Sequence, residues 1–315
     1  MRYSTLLAPL ALLAVPATAE AADCQPAFVD RDQSLTINGV EIEAGGRAVE
    51  NFQIRIHNTA ASGGAPANAA AAAPGATGDL PCQATIRMAR LMPSAQPDFP
   101  PYLLRASGSR RVEVLANAAA GGTVDSDIVV AAAPSGQQGR AIPFQIGVPT
   151  EWGLRAGTYV ERLQLLLVDR NGNIADRSTL TINVVIPPAV SLRLIGAVIG
   201  GESRGPAQID LGNLSNSRET RSPRFGALIL STAPYVVRFS SANRGNLLHE
   251  QGRALIPYRL YFDGAPVDLA GSTEIPYLDP TPRGGDRRAM SIVVPPVVAL
   301  AGRYSDRITV TVSAL

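Results

Sequence analysis

The sequence predicts an all-β protein made of two immunoglobulin-like β-sandwich domains in tandem, the C-terminal one lacking its last strand. Three observations carry this expectation. Short, β-branched and often alternating segments recur along the chain with Gly, Pro, Asn and Asp between them, and helical periodicity never runs far enough to compete. The pair Pro187-Pro188 stands near the middle, and a central strand cannot continue through it. The pattern Ala-Gly-x-Tyr-x-acid-Arg occurs once in each half, at residues 156–162 and 301–307.

In chain order, Arg2 precedes an apolar run at residues 6–15, and small residues follow at Ala19 and Ala21. This reads as a signal peptide over residues 1–21, removed after Ala21 or Ala22. No other stretch approaches the roughly twenty apolar residues of a membrane-spanning helix. Asp23 directly before Cys24 argues against lipid attachment. The expected route is export through the periplasm to the cell surface.

The 315 residues allow two domains, placed at 22–187 and 188–315. Strand-like segments of the first half include SLTINGVEIE (34–43), NFQIRIHN (51–58), CQATIRMARL (82–91), YVERLQLLLV (159–168) and STLTINVVI (178–186). The second half answers with SLRLIGAVI, FGALIL, YVVRFS, YRLYF, MSIVV and DRITVTV. Two further matches support a repeated domain: PYLLRAS (101–107) with PYVVRFS (234–240), and AIPFQI (141–146) with LIPYRL (255–260).

Cys24 and Cys82 are the only cysteines, and after export an even pair predicts one bridge, stabilising by about 3–5 kcal/mol in the entropic account. His57 and His249 fall at no familiar zinc spacing from them. Asp169, in DRNGN, opens a hairpin turn with too few ligands for calcium. All 28 basic residues are arginine, scattered against 26 acidic ones for a net charge of +2, so no nucleic-acid surface is expected.

Within the repeated motif, Tyr159 and Tyr304 are candidate tyrosine corners opening strand F, with Gly157 and Gly302 relieving the turn before them. Strand tyrosines facing the sheet interface are an equal alternative. After Tyr159, residues 169–186 supply a turn and a closing strand G. After Tyr304 the sequence stops at Leu315, so no strand G is expected there. Ile308, Val310 and Val312 would then flank an open acceptor groove, which a strand from another chain can fill. The predicted mature chain reaches Cys24 at once, so it receives a strand without having one to give. That combination predicts a terminal subunit of a pilus built by donor-strand complementation.

The segments STAPYVVRFSSANRGNLL (231–248), IPYRLYFDG (256–264) and AGRYSDRITVTVSAL (301–315) resemble the spore coat protein U domain, found in secreted subunits of archaic chaperone-usher pili. The resemblance covers most of residues 188–315. It implies a pilin domain at the C-terminus, an adhesin-like N-terminal domain and a role as tip adhesin. It also implies a periplasmic pilus chaperone, an outer-membrane usher and the next pilus subunit as partners, with a host or abiotic surface as the target. Pilin domains of this family often carry a disulfide, which the second half, without cysteine, departs from.

Three stretches of the first half are candidate contact loops: residues 59–81, 91–104 and 116–126. Leu91, Met92 and Phe99 are the proposed surface-contact residues, by analogy with apolar tip loops; for each loop an ordinary connection or buried strand is the commoner outcome. Trp152 offers a sugar-stacking surface, although a lone tryptophan more often packs. No nucleophile elbow, phosphate loop or zinc spacing is present, so neither catalysis nor a cofactor is expected. The alternatives are a self-sufficient secreted coat protein and a carbohydrate-binding module.

Overall fold

The computed structural model describes residues 24–38, 40, 42, 45–60, 82–91, 99–106, 110–119, 128–134, 137–199 and 206–315. The predicted leader lies outside them. The chain folds as two β-sandwiches in tandem, and no strand before Pro187 pairs with one after it among the described residues.

The first sandwich has eleven strands among the described residues. One sheet runs in the order β1 (Pro26–Phe28), β3 (Arg47–Asn58), β9 (Arg140–Pro149), β5 (Leu103–Ala106) and β6 (Arg110–Val112). The other runs β2 (Asp32–Ile37), β11 (Ile174–Ile186), β10 (Gly157–Asp169), β4 (Cys82–Arg90) and β7 (Val114–Leu115), with β8 (Ile128–Ala133) also on β4. Alternation decides which face is buried. Leu163, Leu165 and Leu167 of β10 and Leu180, Ile182 and Val184 of β11 point inward against Ile54 and Ile56 of β3 and Ile142, Phe144 and Ile146 of β9. Cys24 and Cys82 form a disulfide that ties the start of β1 to the start of β4.

The second sandwich uses β12 (Val190–Gly196), β14 (Phe225–Ser231), β21 (Asp286–Val294), β18 (Arg259–Phe262) and β19 (Ala265–Val267) in one sheet, with β13 (Thr220–Arg221) added to β21. Facing it are β20 (Thr273–Tyr277), β15 (Tyr235–Ser241) and β23 (Ile308–Ala314). A small third sheet joins β17 (Leu255–Pro257), β16 (Asn246–His249) and β22 (Tyr304–Ser305). Phe239 and Phe262 meet edge to face in the core, with centroids 5.0 Å apart.

Strand pairing corrects two of the three internal matches. β5, from PYLLRAS, pairs with β9, whereas β15, from PYVVRFS, pairs with β23, the counterpart of β10. The two segments therefore occupy different places in the sandwich. The same holds for β9 and β18, drawn from AIPFQI and LIPYRL: β18 pairs with β21, as β5 pairs with β9. Short apolar strings recur by chance in a chain this rich in Ala, Leu and Val. A real equivalence lies elsewhere: Pro101-Tyr102 and Pro257-Tyr258 each lead into the strands β5 and β18.

Candidate functional site

β10 opens with the shared Gly-x-Tyr motif and β23 follows it, and the two occupy the same position, beside β4 and β15 respectively. Their other sides differ. β10 is covered along its full length by β11, from Gly157 opposite Ile186 to Val168 opposite Ile174. β23 is an edge: among the described residues no strand pairs with the side away from β15.

The burial of inward-facing residues follows from that difference. Leu163, Leu165 and Leu167 on β10 are 0% exposed, whereas Ile308, Val310 and Val312 on β23 are only partly buried. The opposite wall is β12, itself the edge of the facing sheet, whose Val190, Leu192 and Leu194 are likewise partly buried. Val198, Ile209, Leu211, Leu214 and Val297 complete a set of half-covered apolar residues on the second core. β12 approaches β23 to within 8 Å between Cα atoms yet forms no ladder with it. The result is an apolar seam beside a strand edge whose outward backbone N–H and C=O groups meet no ladder partner among the described residues. Ile308, Val310 and Val312 on β23 are the residues the sequence reading placed beside a groove. It missed the β12 wall, although the alternation in AVSLRL just after the proline pair is its signal.

The two motif tyrosines part company. Tyr159 Oη donates to Arg155 O at 2.8 Å, closing the turn around Gly157, and Phe99 meets its ring edge-on at 6.3 Å between centroids. Tyr304 Oη is buried without a hydrogen-bond partner, so the back-bond of a tyrosine corner is not made there. Its ring packs edge-on against His249, 4.9 Å away. Space explains the difference. A Cβ on Gly302 would fall 2.3 Å from His249 Nε2, so His249 fills the turn that Tyr304 would otherwise reach across. His249 is buried, its Nε2 3.2 Å from Ala301 O and its Nδ1 accepting from Gln251 N at 3.1 Å.

Of the proposed contact residues, Leu91 is 45% exposed and Phe99 is half-buried against Tyr102 and Tyr159; Met92 lies outside the described residues. Leu91 N donates to Arg162 O, on the half of β10 nearer Ala156, and Ala156 N donates to Thr232 O of the second domain. Leu91 therefore sits on the half of the first sandwich nearer the second domain. The flanks of residues 59–81, Asn58 and Cys82, lie toward the opposite end, near Asp169. Trp152 is half-buried against the first core. Asp169 Oδ1 accepts from Asn171 N and Asn173 N at 2.8 Å each, a hairpin turn as expected. Among the described residues, no group of His, Cys, Asp and Glu is placed to hold a metal.

An acidic pair within the repeated motif went unnoticed in the sequence. Glu161 and Asp306 occupy equivalent positions after Tyr159 and Tyr304, and each faces a tyrosine that leads into an edge-side strand. Asp306 is saturated. Tyr258 Oη donates to its Oδ2 at 2.5 Å and Ser241 Oγ at 2.6 Å, while Asn243 N and Arg307 N serve Oδ1. Burial, and then this carboxylate, push the Tyr258 pKa well above the usual phenol value. Glu161 is bound on one oxygen alone, by Arg90 Nε at 2.7 Å.

No protein-family model and no curated protein matches the chain. Among solved structures, it is similar to the CsuC-CsuE chaperone-tip adhesion subunit pre-assembly complex from archaic chaperone-usher Csu pili of Acinetobacter baumannii. That match has 13% identity and a TM-score of 0.42, covering 90% of this chain and 99% of that one. CfaE, the adhesive subunit of the CFA/I fimbria of enterotoxigenic Escherichia coli, matches at 9% identity and 0.37, over 91% and 98% of the two chains. The CupB6 tip adhesin from Pseudomonas aeruginosa matches at 12% and 0.33, over 91% and 94%. At these scores the likeness decides neither fold detail nor function.

Proposed function

We propose that the protein is a non-enzymatic subunit of a chaperone-usher pilus, acting as its tip adhesin. The second domain takes a donor strand first from a periplasmic chaperone and then, after passage through an outer-membrane usher, from the next subunit. One observation supports this above others: among the described residues β23 is an unpaired edge of the second sandwich, with Ile308, Val310 and Val312 half-covered where their first-domain counterparts are sealed by β11. Covering such side chains stabilises by about 0.8 kcal/mol per buried CH2, so a strand of alternating apolar residues gains several kcal/mol besides its backbone ladder. The tip position, with the first domain turned toward a host or abiotic surface, draws on the resemblance of residues 188–315 to the spore coat protein U domain.

The test is to append a donor strand of alternating apolar residues after Leu315 through a flexible linker. The fused chain is expected to be a monomer that unfolds cooperatively, with slow amide exchange along both sides of β23. The unfused chain is expected to aggregate or be degraded without a chaperone. Several donor designs that all fail to change either property would remove the proposal. The approach of β12 to β23 favours a second reading, a secreted structural protein whose second sandwich closes on itself. Recovery of the unfused chain as a stable monomer would select it.

A further inference from the structure

The first domain carries a cleft of about 460 Å³ at the open side of its sandwich, lined by Arg90, Tyr102, Arg111, Glu113 and Glu161 with Phe99 and the prolines at 100 and 101. At its base is an unusual choice of residues for a sandwich interior. Arg90 and Glu161 lie on β4 and β10 two residues from the buried Met88 and Leu163 and so share their face, between the sheets. Glu161 is only 9% exposed. Its Oε1 is held by Arg90, but Oε2 is buried with no hydrogen-bond partner, and so is the hydroxyl of Tyr102. Burial, and then the interaction with the neighbouring Glu161, push the Tyr102 pKa up. A buried carboxylate oxygen left without a donor is costly, because its desolvation is not repaid.

The second domain shows what the same parts do when their role is structural. There the equivalent acid, tyrosine and strand-end residue, Asp306, Tyr258 and Ser241, close on one another at 2.5–2.6 Å. In the first domain Arg90 Nε holds Glu161 Oε1 at 2.7 Å, while Glu161 Oε2 and the Tyr102 hydroxyl, on residues that line the cleft, make no hydrogen bond. We infer that this cleft is a binding site for a neutral, polyhydroxylated ligand, a saccharide of one or two rings, with Glu161 Oε2 accepting from a ligand hydroxyl and Tyr102 and Arg90 supplying donors beside it.

The lining selects that chemistry. Two arginines face two glutamates, so the site has no net charge to attract an ion. An acceptor oxygen next to guanidinium and phenol donors suits a pair of adjacent hydroxyls, each of which both gives and takes a hydrogen bond. Phe99, Tyr102 and the two prolines form the apolar wall against which the C–H face of a pyranose packs. The cleft lies wholly in the first domain, so the inference stands independently of the strand-acceptor reading.

Saturation-transfer NMR on the full-length secreted chain, with free hexoses and N-acetylhexosamines as probes, tests it, and a glycan array extends the panel. Saturable transfer is expected, weakened about tenfold or more by Glu161→Gln and about threefold by Tyr102→Phe. Should Glu161→Gln fail to fold, Tyr102→Phe carries the comparison, because it removes one hydroxyl and leaves the ring packing. Absence of transfer from every sugar at millimolar concentration would overturn the site. Binding that survives Tyr102→Phe and Glu161→Gln unchanged would place it elsewhere on the molecule and equally overturn it. Preference for arginine methyl ester over all sugars would overturn the ligand class.

Discussion

Single hydroxyls separate the two motif tyrosines. Tyr159 Oη has a carbonyl to bond and Tyr304 Oη has none, although both sit behind a glycine of positive φ, at 154° and 142°. Tyr159→Phe should therefore destabilise the chain by about 1 kcal/mol. Tyr304→Phe removes a buried, unsatisfied group, and its effect should lie between neutral and stabilising. Denaturant unfolding of both variants checks this; a larger loss from Tyr304→Phe would show that its hydroxyl has a partner after all. The sequence pattern made the two positions look identical. What distinguishes them is His249, brought against Gly302 by the pairing of β16 with β22, a contact that no local reading of residues 301–307 contains.

The hairpin joining β10 to β11 has no counterpart after β23 among the described residues, and its turn is built on one carboxylate. Hydrogen bonds from the backbone of Asn173 first, and then Asn171, hold the Asp169 pKa below the usual carboxylate value. A depressed folded pKa means that this contribution is fully present above the unfolded value and is lost as pH falls through the folded one. NMR titration should place the Asp169 midpoint below that of an unfolded aspartate. The stability gap between wild type and Asp169→Ala should close on acidification over that interval; a gap that persists in acid would show that the turn does not depend on the charged carboxylate. Here the residue pattern was legible from DRNGN alone, because turn chemistry is local.

The two sandwiches are joined through a buried threonine. Thr232, 1% exposed, accepts from Ala189 N at 2.8 Å and donates to Pro187 O at 3.1 Å through its hydroxyl, while its carbonyl accepts from Ala156 N at 2.7 Å. It thus binds the proline linker and the first domain to the start of the second. At the rim, Arg283 pairs with Glu151, but Arg283 is exposed and such a pair is worth about 0–1 kcal/mol. Thr232→Val keeps the volume and removes two partly buried hydrogen bonds of the hydroxyl. It should cost about 1–3 kcal/mol and broaden the range of interdomain angles seen by small-angle scattering, whereas Arg283→Ala should do neither measurably. An unchanged scattering profile for Thr232→Val would assign the rigidity of the junction to other contacts.

Alternation, turn residues and the proline pair sufficed, from sequence alone, for an all-β chain of two sandwiches in tandem. These are properties of short windows, in which side-chain period and backbone restriction act directly. Pairing between strands was beyond it. PYLLRAS and PYVVRFS look like copies but lie in different positions, while Pro101-Tyr102 and Pro257-Tyr258 are true counterparts hidden in dissimilar strings. Only the tertiary structure decided that Glu161 faces an open cleft and Asp306 a closed network, because the partners of each acid come from strands about fifty to seventy residues away, and burial of a charge is settled by what the fold brings beside it.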